Sequence, residues 1–333
     1  MATKSLADRS YVDDICQWER DAIMIPLQRL DSRLFKMWMN VCGETCTGEG
    51  LVVFFAVLNW SLSTKMGTEG IWLVPVAEIS NGLIKWAFRM PRPGWSDSSV
   101  ALLATSHEYS FPSSHSMISF SMATYFSVVT GSLVPFLLAG LVGFSRVYEG
   151  MHYPHDVAIG ASLGWSLGMG LLEVLNYVSE HNTMANTDTS EIVVAGAMMV
   201  VVTLIVIFGC FEKVRTHDVP AKWSENAGKS IGSVKLDPHS IPLLSYIGMA
   251  GVLMGLVVGE AMYTPFPMPA SAFIGVVRVI VGLAILLGAF FSVRAAEKFV
   301  PQNVALGLRF FRFAQVPPII LIVGPYVFNM LSI

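Results

Sequence analysis

Apolar residues in this chain gather into long runs instead of alternating with polar positions, which is the pattern of buried or lipid-facing helices and not of half-exposed strands. About nine runs approach membrane-spanning length, at 48–64, 68–88, 114–132, 133–148, 156–178, 190–211, 241–262, 270–292 and 304–331. The sixth is the plainest, since Ile192–Gly209 is almost free of polar residues. The third and fourth are joined by the short Gly131-Ser132 turn and form a hairpin. Residues 18–40 differ: apolar positions recur at helical spacing among charges too costly for hydrocarbon, which predicts an amphipathic helix lying in the interface. Small residues four apart, at Gly160, Gly164 and Gly168 and again at Gly251, Gly255 and Gly259, predict helices whose backbones approach closely.

Composition agrees with lipid as the main solvent. Of 333 residues 53% are hydrophobic and 14% charged, against roughly 25% charged in a soluble domain. The expected fold class is therefore all-α, a multi-pass transmembrane helical bundle. Its parts are an N-terminal interfacial amphipathic segment (1–47), a membrane core (48–211), a charged loop (212–240) and a C-terminal three-span extension (241–333). The net charge of -3 and the lack of a basic stripe with interleaved aromatics exclude a nucleic-acid partner. Cys16, Cys42, Cys46 and Cys210 form no pair of CxxC motifs. Met1 to Trp18 lacks an apolar region before a small-residue cleavage site, so insertion is expected to rely on the first true span.

Three short stretches place charge where a membrane protein avoids it. Lys85 to Arg92-Pro93 closes the second run, and by itself suits cations snorkelling to an interface. Phe111-Pro112-Ser113-Ser114-His115-Ser116 opens the third, so His115 falls in a first helical turn, where unpaired N–H groups and the positive helix end favour an anion. Ser145-Arg146 to His152, His155 and Asp156 bridges the fourth and fifth. There a carboxylate four residues after an imidazole can accept its second N–H and fix its tautomer. The hairpin brings all three stretches to one side of the membrane.

These stretches resemble the type 2 phosphatidic acid phosphatase superfamily, whose motifs are K-x6-R-P, P-S-G-H and S-R-x5-H-x3-D. Lys85 to Arg92-Pro93, Pro112-Ser113-Ser114-His115, and Ser145-Arg146 with His152 and Asp156 keep that order and internal spacing. One position departs: Ser114 stands where the family usually has Gly. The resemblance covers about residues 20–178 and implies a six-helix catalytic core within 48–211. It implies His115 as nucleophile, His152 as acid and base, Asp156 orienting His152, and a phosphate cradle of Lys85, Arg92, Ser113, Ser114 and Arg146. It implies no cofactor and no metal.

Implied partners are the bilayer and a phosphorylated lipid or sugar-phosphate substrate. The Ser145–His152 run looks most like sphingoid-base phosphate phosphatases. The span count and the surroundings of Trp86 and Trp95 are also similar to glucose-6-phosphatases, and a catalytically silent phosphate-binding protein is a third reading. Endoplasmic reticulum or another endomembrane is expected over the plasma membrane. Family members usually face the site to the lumen, periplasm or exterior. The Lys and Arg residues outside the spans, from Lys4 and Arg9 to Arg294 and Lys298, instead cluster on the catalytic side against Lys65 opposite, which the positive-inside rule reads as cytosolic. Arg278, inside the eighth run, needs a partner, for which Glu260 is a candidate.

Overall fold

The computed structural model describes residues 6–30, 32–180 and 188–333; Lys4 lies outside the described residues. The regular secondary structure of the described residues is helical, without strands. The first helix, α1 (6–28), widens at Arg20–Met24, and α2 (Arg33–Glu44) follows after a break. The single helix expected over 18–40 is therefore two. Ser32 is extended (φ -97°, ψ 139°) and its hydroxyl accepts from Phe35 N at 3.0 Å, so a strong N-cap restarts the helix there. One face of α2 leaves Leu34, Met37, Trp38 and Val41 exposed, while Met39 and Gly43 are buried on the other. That is the stripe of a helix half sunk in an interface.

The membrane part runs α3 (48–62), α4 (Thr64–Gly70), α5 (Leu73–Phe88), α6 (Pro93–Ser96), α7 (Ser114–Thr130), α8 (Val134–Tyr148), α9 (Pro154–Glu180), α10 (Thr189–Val214), α11 (Ala221–Ile231), α12 (Ser240–Ala261), α13 (Ala272–Ala296) and α14 (302–330). Each of the nine apolar runs carries a helix. Length and composition support five crossings among the described residues, at 154–180, 189–214, 240–261, 272–299 and 304–330. The apolar helices 50–62 and 134–148 are shorter than a bilayer span. The α7–α8 hairpin closes as the sequence predicts, with Gly131 taking φ 70° after Thr130.

Two glycine stripes set the packing. On α9, a Cβ at Gly160, Gly164 or Gly168 would run into Ser113 O, Met117 O or Ser121 O, so backbone rests on backbone along α7. On α12, Gly251 and Gly255 meet Phe310 O and Ala314 O of α14 in the same way. The 241–333 stretch is packed into the bundle. Leu51, Phe55 and Trp60 of α3 share one core with Val252, Leu256, Leu286 and Ile320, and Trp60 Nε1 donates to Ile320 O at 2.9 Å.

Two other expectations change. The 212–240 stretch contains α11, whose Asn226 Nδ2 donates to Trp95 O (3.0 Å) and Ser96 O (3.1 Å), tying it to α6. Glu260 is not the partner of Arg278. It accepts from Trp72 Nε1 at 3.3 Å, whereas Arg278 donates to Pro267 O (2.9 Å) and Ile333 O (3.1 Å) and lies 4.5 Å over the Phe266 ring. Two main-chain oxygens and an aromatic face thus hold the Arg278 guanidinium, while its Nε has no hydrogen-bond partner among the described residues.

Candidate active site

The three motif stretches meet where α5 ends and α7 and α9 begin. Residue Arg89 ends α5 in the left-handed region (φ 55°), its N–H bonded to Lys85 O at 2.8 Å, which turns the chain toward Arg92. Ser113 caps α7: its hydroxyl accepts from Ser116 N (3.3 Å) and Ser116 Oγ (3.1 Å), and its carbonyl from Met117 N (3.0 Å). The first-turn donors not used in this way are the N–H groups of Ser114 and His115, so a free positive helix end is presented beside the His115 ring. Ser114 takes no positive φ, and a Gly is not required there; its Oγ lies 3.5 Å from Lys85 Nζ.

Three cations, Arg146, Lys85 and Arg92, are the charges that act on His115. All three are buried, at 5%, 1% and 2% exposure, so each must be held by partners. Lys85 Nζ pairs with Glu108 Oε2 at 2.6 Å, and Arg146 with Glu149 Oε2 at 2.7 Å. The Arg92 guanidinium donates to Glu108 O (2.7 Å) and Met151 O (2.9 Å), with the same Nη1 3.2 Å from His152 Nε2. Helix α2 backs Arg146, since a Cβ at Gly43 would overlap its guanidinium.

His152 is buried, and its Nδ1 lies 3.6 Å from Asp156 Oδ2. That separation is longer than a hydrogen bond. Ser110 Oγ fills the corner, bonded to Asp156 Oδ2 and 3.5 Å from His152 Nδ1, while Tyr153 N donates to the same carboxylate oxygen at 2.8 Å. Ser113 N also reaches Asp156 O, at 3.1 Å, locking the start of α7 to the start of α9.

The electrostatics follow from burial. Burial, then Arg92, Lys85, His115 and Arg146, push the His152 ring well below its usual 6.5, so it is neutral near pH 7. Burial brings Arg92 down to about 10 despite Glu108 and Asp156. Burial would raise Glu108, but Lys85 and Arg92 outweigh it and hold that carboxyl below the ordinary value. Burial pushes Glu149 up to about 7 against the opposing pull of Arg146. Among the described residues no group of His, Cys, Asp and Glu is placed to hold a metal ion.

All eight residues singled out in the sequence thus fall in one region. Four others in it, Glu108, Ser110, Glu149 and Glu19, were not singled out. Glu149 was within reach, because a carboxylate three residues after Arg146 faces it on a helix. Contacts such as Lys85 with Glu108 and His155 with Glu19, 23 and 136 residues apart, carry no local signature.

The model of the PAP2 superfamily matches residues 71–180. The chain is similar to decaprenylphosphoryl-5-phosphoribose phosphatase of Mycobacterium tuberculosis, 31% identical over 138 residues, covering 38% of this chain and 77% of that protein. It is similar to a probable sphingosine-1-phosphate phosphatase of Dictyostelium discoideum, 22% identical over 66% of this chain and 57% of the relative. It is also similar to mouse glucose-6-phosphatase 3, 28% identical over 39% of this chain and 46% of the relative.

Proposed function

Because the chain belongs to the PAP2 superfamily, we propose that it is an integral-membrane phosphatase that hydrolyses a lipid phosphate monoester by way of a phosphohistidine at His115. The observation that carries this is the gathering of the buried Lys85, Arg92 and Arg146 around the amino end of α7, with Lys85 Nζ 3.5 Å from Ser114 Oγ and Arg92 Nη1 3.2 Å from His152 Nε2. Three buried cations and a helix end suit the non-bridging oxygens of a phosphoryl group. Arg92, whose Nε and Nη1 are held by Glu108 O and Met151 O, can offer its Nη2 hydrogens, and Lys85 a point charge.

In this reading a His115 ring nitrogen attacks phosphorus, the P–O ester bond breaks, and His152 delivers a proton to the departing alkoxide oxygen. Water then attacks the phosphohistidine while His152 takes its proton, so one residue alternates as acid and base. The neutral state of His152 in the free site is the one the second step needs, and the proton for the first step is taken up by the ring when the phosphoryl group binds. A bound phosphoryl group brings negative charge that offsets Lys85, Arg92 and Arg146, which strengthens the ring's hold on a proton. Asp156, held by Ser110 and Tyr153 N, orients the far side of that ring.

A lipid substrate is favoured by the exposed apolar stripe of α2 beside the site and by the similarity to proteins named for lipid-linked phosphates. A sugar phosphate is the second reading, carried by the similarity to glucose-6-phosphatase 3. An endomembrane such as the endoplasmic reticulum is the proposed location. The test is phosphate release by purified protein from phosphatidate, sphingosine phosphate and glucose 6-phosphate. His115→Ala is expected to abolish release while leaving the protein folded; full activity in that variant would remove the assignment. Binding without release by the wild type would make the protein a silent phosphate binder.

A further inference from the structure

Beside the phosphate site, a run of polar contacts leads from the N-terminal helix to Asp156. Glu19 of α1 is 5% exposed, and its two oxygens grip His155: Oε1 accepts from the backbone N–H at 3.0 Å and Oε2 lies 2.7 Å from ring Nδ1. The other ring nitrogen, Nε2, is 3.3 Å from Asp156 Oδ1. Nδ1 carries the ring's hydrogen bond to Glu19, while the approach of Nε2 to Asp156 Oδ1 is a charge contact without hydrogen-bond geometry, Oδ1 having no hydrogen-bond partner among the described residues. Tyr153 stacks on that ring at 5.4 Å with planes 13° apart, and this fixes its tilt.

The two oxygens of Asp156 therefore serve different partners. Oδ2 takes Ser110 and Tyr153 N and faces His152, while Oδ1 faces His155. Asp156 is wholly buried, and a buried carboxylate keeps its charge only when paired. Arg92, the other cation acting on it, has its guanidinium engaged by Glu108 O and Met151 O.

Helix α1 is anchored well enough to impose this geometry. Arg20 Nη1 pairs with Asp97 Oδ2 at 2.5 Å, Gln28 Nε2 donates to Ala101 O (2.8 Å) and Tyr148 O (2.9 Å), and Met24 is fully buried against Val100, Val147 and Tyr153.

We infer that Glu19 is a positioning residue of the phosphatase reaction: through His155 it fixes the orientation and charge of Asp156, and through Asp156 that of His152. This rests on the roles proposed above for His152 and Asp156. The N-terminal helix is then part of the active site and not only a membrane anchor.

The test uses full-length protein in mixed micelles, with a phosphate ester that the wild type hydrolyses. Kinetic constants and thermal stability are measured for Glu19→Gln, Glu19→Asp, His155→Gln and the double variant Glu19→Gln/His155→Gln. Glu19→Gln is expected to lower kcat by about tenfold or more with KM nearly unchanged, because the cations that hold phosphate are untouched. Glu19→Asp keeps the charge and recovers part of the loss. The double variant falls no further than the worse single one, since both act through one chain of contacts. Wild-type kcat in Glu19→Gln overturns the inference. So does a Glu19→Asp variant as impaired as Glu19→Gln with a parallel drop in stability, which marks a structural role. If the wild type releases no phosphate, the functional reading itself fails, and Glu19 with it.

Discussion

The crossing of α9 on α7 gives the most direct test of how the fold holds the site. At Gly160 an added Cβ would lie 2.5 Å from Ser113 O, 3.2 Å from Ser116 Cβ and 3.3 Å from Ser113 N. To regain an ordinary 3.4 Å contact with the carbonyl the helices must part by about 0.9 Å, since close-packed interiors offer no slack. The atoms pushed belong to the cap of α7, next to His115, and to the Ser113–Asp156 backbone bond that registers α7 against α9. Overpacking of this kind costs about 1–3 kcal/mol. A shift of about 1 Å in a reacting group costs about 10²-fold in rate. Gly160→Ala is therefore expected to lower kcat by one to two orders of magnitude, with about 1–3 kcal/mol lost in stability. Gly170→Ala is the control on the same helix, because nothing lies within 4 Å of its added Cβ and Ala favours a helix. Phosphate release and thermal unfolding in one detergent compare the two variants. Equal activity and stability in both would refute the claim that the glycine stripe sets the geometry of the site.

Three further outcomes follow from the site. His152 has its folded value pushed below 6.5, so its contribution to stability is complete above about pH 6.5 and is lost as pH falls toward the folded value; His152→Asn is expected to flatten that part of the melting-temperature profile relative to wild type. Glu108→Ala strands Lys85, 1% exposed, without its 2.6 Å partner and is expected to cost about 3–5 kcal/mol in chemical unfolding. Ser114→Gly, which removes an Oγ 3.5 Å from Lys85 at a position of ordinary φ, is expected to leave kcat within a few-fold; a total loss would show that the hydroxyl takes part in the chemistry.

How much of this was legible in the sequence differs by kind of feature. Lys85 with Arg92, and Arg146 with His152 and Asp156, could be grouped because each set lies within one short stretch whose spacing the helix ends preserve. The hairpin of α7 and α8 followed from the Gly131 turn. Span number was less legible, since Val134–Tyr148 reads as a full run but has 15 helical residues. The break at Ser32 was hidden by the amphipathic period continuing on both sides of it. Helix α11 carries little signal in its own stretch, because its packed face depends on Trp95 and Tyr109, distant in the chain, against which Trp223 rests. Glu19 and Glu108 were missed because an acidic residue in a polar stretch looks solvated until the chain brings a cation or an imidazole to it.

The stripe of Leu34, Met37, Trp38 and Val41 has a consequence for how substrate is found. A site tethered at the surface by α2 meets a lipid phosphate by lateral diffusion in a plane, so its rate depends on surface density and not on bulk concentration. Diluting a fixed amount of substrate lipid with inert lipid then slows turnover even though the molarity is constant. A freely dissolved phosphate ester escapes that dilution, because it reaches the same histidine from the aqueous side.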